Sequence, residues 1–260
     1  MKRNIFILCS FIVFAVFTSY AQSLTEQAAA AYNKDDFNQA LELYLEASQQ
    51  EGTSSELFYN IGNTYYKLDK KGKAILYYER ALLLDPNNSD ARDNLDYVRS
   101  KSSLTTDIGA TYWKDSIDNM VCSQTATAWG VLAVVSFLAF IVLLLVYIFV
   151  DAVILRKIGF FGGGIMLIVT ILANICAFHV ESKVEAHDQA VVVIPSATLS
   201  TSPRQPKDKT EEAFMLNEGT KVTVIDSVTN VVSGSNEKWY DVRANETSRA
   251  WIAASAIEII

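Results

Sequence analysis

Residues that usually carry chemistry are few in this 260-residue chain, and their spacing is poor. Its two histidines, His179 and His187, share the stretch HVESKVEAHD with Glu181 and Glu185. Imidazole beside carboxylate suits a metal ion or a proton transfer. A spacing of eight from His179 to His187 is a little over two helical turns, too far for both rings to close on one ion. Cys9, Cys122 and Cys176 are scattered, with no CxxC pair and no metal-ligand spacing. Cys122 lies just before one long apolar run and Cys176 near the end of another, so a disulfide between them stays open. The run Gly159-Phe160-Phe161-Gly162-Gly163-Gly164 has no Lys-Ser/Thr after it and opens an apolar segment, which sets aside a phosphate loop. No nucleophile, base and orienting group fall together. The expectation is a protein that is not an enzyme, with no catalytic residue, no metal and no cofactor.

What remains is recognition chemistry, and it is concentrated in FYNIGNTYYKLDKKGKAILYYERALLLDPNN, Phe58 to Asn88. At an offset of 34 residues Leu24 falls on Phe58, Ala28 on Gly62, Tyr32 on Tyr66, Ala40 on Ala74, Tyr44 on Tyr78 and Ala47 on Ala81. A 34-residue period with small residues at two fixed places resembles the tetratricopeptide (TPR) repeat, two antiparallel helices per unit. Gly62 and Ala74 let helices A and B of one unit approach, Tyr65, Tyr78 and Leu82 fill the space around them, and Pro86 ends helix B. Repeats are expected at about 21–54 and at 55–88, the first with Gly52 where Pro is usual. A last helix over 89–101, apolar at Ala91, Leu95 and Val98 and polar outside, closes the solenoid. The TPR domain is thus 22–101.

The resemblance also implies where a partner binds. In such repeats helix A lines a concave groove, which here gives Glu56, Tyr59, Asn63 and Tyr66 with Lys67 beside them, Tyr32 and Asn33 from the first repeat, and Asp93 and Tyr97 from the last helix. Tyr32, Tyr59, Tyr66 and Tyr97 offer flat amphipathic contact area, the kind that concentrates binding energy. Asn63 could hydrogen-bond a partner backbone. Repeats that grip a C-terminal carboxylate place Lys in helix A where this chain has Thr25 and Tyr59, so an internal segment is the expected ligand. The TPR segment holds thirteen acidic and nine basic residues, which argues against nucleic acid.

Three apolar runs set the cellular context. MKRNIFILCSFIVFAVFTSYAQS has two cations, an apolar core and Ser19-Tyr20-Ala21, the pattern of a signal peptide over 1–21. The runs 128–150 and 158–180 are each long enough to cross a bilayer. Arg156 and Lys157 mark the loop Asp151–Lys157 between them as cytoplasmic. The signal peptide and these two cations agree on a two-span hairpin in a bacterial inner membrane, with both soluble ends in the periplasm. Gly159, Gly163, Met166, Thr170, Ala173 and Ala177 share one face of the second span, and Ala133, Ser136 and Ala139 offer small contacts on the first. Segment 110–127 carries Trp113, Ile117, Met120 and Val121 on one face and is expected to lie in the membrane interface.

From 187 to 260 the pattern changes to alternation with Gly, Asn and Ser breaks, AVVVIP, FMLNEGTKVTVID, KWYDVR and RAWIAASAIEII, with a polar loop from Ser196 to Thr210. The order resembles a bacterial SH3-like domain, a small all-β barrel. Ala250 stands before Trp251 where that family usually has Gly. The expected fold class is therefore a multi-domain membrane protein: an α-helical TPR solenoid, a two-helix transmembrane hairpin and an SH3-like barrel.

Taken over the full chain, this architecture resembles the BatE-like proteins of the Bacteroides aerotolerance operon. The resemblance implies a periplasm-facing inner-membrane protein in a stress-related membrane complex with membrane or periplasmic proteins, among them Bat-family von Willebrand factor A proteins. Two functions follow as expectations. One is an adaptor that assembles protein partners through the repeats. The alternative is a cell-wall-binding module, in which the SH3-like domain reads peptidoglycan.

Overall fold

The computed structural model describes residues 23–101, 120–232, 235–245 and 248–260. The signal peptide and most of the 110–127 segment, including Trp113 and Ile117, lie outside the described residues. The described chain divides into two compact units, one ending at Thr53 and one running Ser54–Ile260.

In the first unit Ser23 and Asp36 start the helices. The Ser23 hydroxyl accepts from the Glu26 amide at 3.1 Å, and the Asp36 carboxylate from the Gln39 amide at 3.1 Å. These caps satisfy amides that a helix start leaves unpaired. Helix α1 is Leu24–Tyr32 and α2 is Phe37–Gln50. They pack through Ala28, Ala31, Ala40, Tyr44 and Ala47, all buried. Small residues at the contact let the two backbones approach. Glu51 closes the hairpin by accepting from the Leu24 amide at 2.7 Å and the Thr25 hydroxyl at 2.9 Å. Gly52 follows at φ 96, so the turn where proline is usual is made by a left-handed glycine instead.

The second unit opens with the same device. Ser54 caps α3, Ser55–Lys67, through the Leu57 amide at 3.1 Å. Helices α4, Lys71–Leu84, and α5, Ser89–Lys101, follow. A Cβ on Gly62 would sit 2.7 Å from the Tyr78 ring, so only glycine admits the ring of α4 against α3. Tyr78, Ile61, Ile75 and Leu76 are almost fully buried. At about 2 kcal/mol for each large apolar side chain buried, this seam holds α3 and α4 together. Asn88 starts α5: its oxygen accepts from the Ala91 amide at 2.9 Å and its nitrogen donates to the Ser55 hydroxyl at 2.9 Å. Ala91, Leu95 and Val98 are the buried face of α5.

Two helices in this unit are long and apolar enough to cross a membrane, α6 at Ala126–Phe149 and α7 at Val153–Ala186. At 1.5 Å per residue, α6 alone reaches about 36 Å, against a hydrocarbon core of about 30 Å. Val131, Val134, Leu138, Ile168, Ile171 and Phe178 stand exposed on their outer faces. Buried Ala133 and Ser136 on α6 meet a face of α7 with Gly159, Gly163, Ala173 and Val180 buried. The α7 residues are 4, 10 and 7 positions apart, close to multiples of 3.5, so they share one face of the helix. The 151–157 loop expected from sequence is shorter than that. Helix α7 begins at Val153, so Arg156 closes its first turn and Lys157 follows, and the Arg156 guanidinium donates to the Tyr147 carbonyl at 3.2 Å. At its other end α7 continues through Glu181–Ala186 and stops at His187, φ 43.

The C-terminal part is one antiparallel sheet of seven strands: β1 Gln189–Val192, β2 Ser196–Ser200, β3 Glu212–Asn217, β4 Lys221–Val232, β5 Ser235–Arg243, β6 Arg249–Ala253 and β7 Ile257–Ile259. Their order is β3-β2-β6-β5-β4-β1-β7. The sheet is open: β3 and β7 are its edges, so the closed barrel expected from sequence is not what the strands form. Strand β2 also occupies residues assigned from sequence to a polar loop. Its hydroxyl-rich composition hid alternation at Ala197 and Leu199, both buried. A register shift between Val224 and Asp226 bends the β4–β5 pair. The sheet wraps a core drawn from both halves, including Ala190, Val192, Leu199, Val222, Val242, Ile252 and Ile257. Ala250 belongs to that core, paired in register with Val242. Buried Asp241 is held by two hydrogen bonds from Arg249 Nε, at 3.0 and 2.9 Å.

Candidate functional site

Helix α4 has two faces with different neighbours. One packs on α3; the other carries polar groups onto the sheet. The Gly72 amide donates to Glu218 Oε1 at 2.7 Å, Lys73 pairs with Glu258, and Arg80 donates to the Ile259 carbonyl. A Cβ on Gly72 would stand 2.6 Å from Glu218 Cγ and 2.8 Å from the Val192 carbonyl, so glycine is required where the sheet meets the helix. Glu79 joins three elements: its carboxylate takes Lys221 of β4 at 2.9 Å and Arg99 of α5. Burial pushes this carboxyl upward. The Lys221 ammonium and the Arg99 guanidinium, with their hydrogen bonds, outweigh burial and hold it below the ordinary carboxylate range. Helix B of this unit is therefore covered by the chain's own sheet.

The helix-A side is different. Tyr66 and Tyr97 meet edge to face, centroids 5.9 Å apart, where α3 and α5 run side by side. The neighbouring Tyr97 hydroxyl, followed by burial, raises the Tyr66 pKa. Tyr97 is 50 % exposed. With Lys67, Asp69, Lys71 and Lys101 the two rings line a shallow depression of about 520 Å³. The Lys101 ammonium stands 5.6 Å from the Tyr97 centroid.

The structure brings together only some of the residues selected from sequence. Tyr66, Lys67 and Tyr97 line one depression. Tyr59 is half-buried, its ring 6.2 Å from that of Tyr78 on α4, and does not line that depression. Asn63 has an internal role that the sequence reading did not give it. Its oxygen accepts from the Tyr78 hydroxyl at 2.7 Å and from the Asn94 amide at 2.8 Å, so it ties α3 to α4 and α5. Tyr32 belongs to the first unit, where it packs edge to face on Phe37 at 5.2 Å.

Among the span residues, Gly159 makes the close approach: a Cβ there would lie 2.7 Å from the Leu143 carbonyl. At Gly163 the nearest atom, on Phe140, would be 3.7 Å away, an ordinary contact. The Thr170 and Ser136 hydroxyls hydrogen-bond across the pair at 2.9 Å. Ala173 is buried and Ala177 half-buried on the same face. Cys122 and Cys176 form no disulfide. Among the described residues no group of three His, Cys, Asp or Glu side chains is placed to hold a metal ion.

Sequence reading missed Asn94, Lys71 and Lys101, and the whole α4–sheet contact. Gly72 inside a helix was the available signal, since repeat packing gives no reason for it. A tetratricopeptide-repeat family model matches residues 55–88, which span α3, α4 and the turn into α5. No curated protein matches the chain. A repeat of this kind supports protein–protein interaction, and such repeats are typically non-catalytic.

Proposed function

We propose that the chain is a membrane-anchored adaptor that binds protein partners through the helix-A side of its repeats. The observation that carries this reading is the asymmetry of the second unit. Its helix-B face is covered by the sheet, through Glu218, Glu258 and Lys221, while Tyr66 and Tyr97 remain accessible on the other side. Rigid tyrosines at an accessible seam are economical contact residues, with few rotamers to freeze. The anchor is the α6–α7 hairpin. The signal-peptide pattern and the cations at Arg156 and Lys157 support periplasmic placement of the repeats and the sheet. The sequence resemblance supports membership of a BatE-like aerotolerance complex, with von Willebrand factor A proteins as partners.

The test is co-purification from solubilised membranes with Tyr66→Ala/Tyr97→Ala. These side chains line the depression rather than the buried seam, so the variant keeps its helical circular dichroism and loses its partner. Full partner recovery by the folded variant would move binding to the sheet or the spans, including the peptidoglycan-reading alternative.

A further inference from the structure

Charge around the Tyr66–Tyr97 pair runs against the rest of the molecule. The chain carries a formal charge of −7, and residues 22–101 contribute thirteen acidic against nine basic side chains. The depression nevertheless sets Lys67, Lys71 and Lys101 around two tyrosines, with Asp69 as its one lining anion. Lys71 and Asp69 are 3.7 Å apart, the lysine partly and the aspartate largely solvated, a pair that holds each other weakly. The ends of two helices converge there. Lys67 is the last residue of α3 and Lys101 the last of α5, so the partial negative charge of both C-termini favours these cations in place. Three lysines and two tyrosine rings around one shallow slot form a surface complementary to carboxylates spaced along an extended chain.

We propose that this depression recognises an acidic segment of a partner protein, with carboxylates on the lysines and an apolar or aromatic side chain against Tyr97. The inference rests on the adaptor reading and specifies its ligand. A polyanionic lipid surface fits less well. Asp69 would face it, and the lysines ring a slot rather than a plane. The depression also shares no lining residue with the cavity at the outer end of the spans, which is lined by Cys122, Ser123, Val180 and Lys183.

Full-length protein in nanodiscs of zwitterionic lipid tests this by fluorescence anisotropy with a terminally blocked, fluorescein-labelled Glu-Leu-Glu repeat peptide. A Lys-Leu-Lys peptide is the control, and phosphatidylglycerol vesicles form a separate arm. The acidic peptide binds, binding weakens with salt as exposed charges are screened over about 8 Å, and Lys67→Glu/Lys101→Glu lowers affinity roughly tenfold or more. Both substituted residues are exposed, so the fold is retained, and circular dichroism checks it. Absence of acidic-peptide binding, binding indifferent to the charge reversal, or lysine-dependent capture by the vesicles alone would each overturn the proposal. In any of those cases, co-purification that still depends on Tyr66 and Tyr97 would keep the adaptor reading and assign it a partner of different chemistry.

Discussion

Asn63 shows how one side chain changes meaning between sequence and structure. Its place in helix A of a TPR-like pattern marks it for partner binding. Its oxygen is instead shared by Tyr78 and Asn94. Replacing it removes the hydrogen bond that the hydroxyl of Tyr78, a tyrosine only 1 % exposed, makes to the Asn63 oxygen. Losing a net hydrogen bond at a buried site costs about 0.5–1.5 kcal/mol. Asn63→Ala should therefore lower the midpoint of thermal unfolding, whereas Tyr97→Ala should leave it nearly unchanged and weaken partner recovery. Equal melting of Asn63→Ala and the parent would return Asn63 to the groove as a contact residue. Tyr66 and Tyr97 were legible as neighbours because repeat spacing sets them at matching places on successive helices, whereas Tyr32 and Tyr59 have other ring neighbours. Asn63 was not, because a polar side chain at a seam reads from sequence like one at a surface.

Among the elements, α4 carries the most information. Its apolar periodicity and the small residues at Gly62 and Ala74 made the helix pair readable. Its second face, with Gly72, Lys73, Glu79 and Arg80, reads as ordinary solvated charge until the sheet is placed against it. Long-range pairing such as Lys221 with Glu79 leaves no local pattern to find. Glu79 is held below the ordinary carboxylate range in the fold, so its contribution is present above the unfolded-state value and is lost as pH falls through the folded-state value. Thermal stability should fall on acidification below the ordinary carboxylate range, and Glu79→Gln should flatten that part of the profile. An unchanged profile would separate Glu79 from the stability of the α4–sheet contact. The spans give a second contrast at this scale. Gly159→Ala places a methyl 2.7 Å from the Leu143 carbonyl, while Gly163→Ala places one in ordinary contact at 3.7 Å. In a Cys122→Ser/Cys176→Ser background, Ser136→Cys/Thr170→Cys should cross-link on oxidation, since the native hydroxyls are 2.9 Å apart. Gly159→Ala should reduce that cross-link and Gly163→Ala should spare it. Equal cross-linking in both would mean the hairpin does not depend on the close approach.

At the scale of the molecule, the order of parts was legible because each has its own period: 34 residues for the repeats, unbroken apolarity for the spans, alternation for the strands. The open sheet was not legible, because an open and a closed sheet share the same alternation and differ only in whether β3 and β7 pair. The proposed topology rests on the charges flanking the two long apolar helices. A periplasm-active reporter fused after Ile260 should be active, and one inserted at Ala152 inactive; the reverse pattern would contradict an outward-facing adaptor. The central claim, that partners dock on the tyrosine-lined side, is tested most directly by a photo-cross-linking amino acid in membranes, placed at Tyr97 and, for comparison, at Ile225, exposed on β4 of the sheet. The account predicts discrete protein adducts from position 97 that disappear with Tyr66→Ala, and none from position 225. Adducts from position 225 with none from position 97 would contradict it.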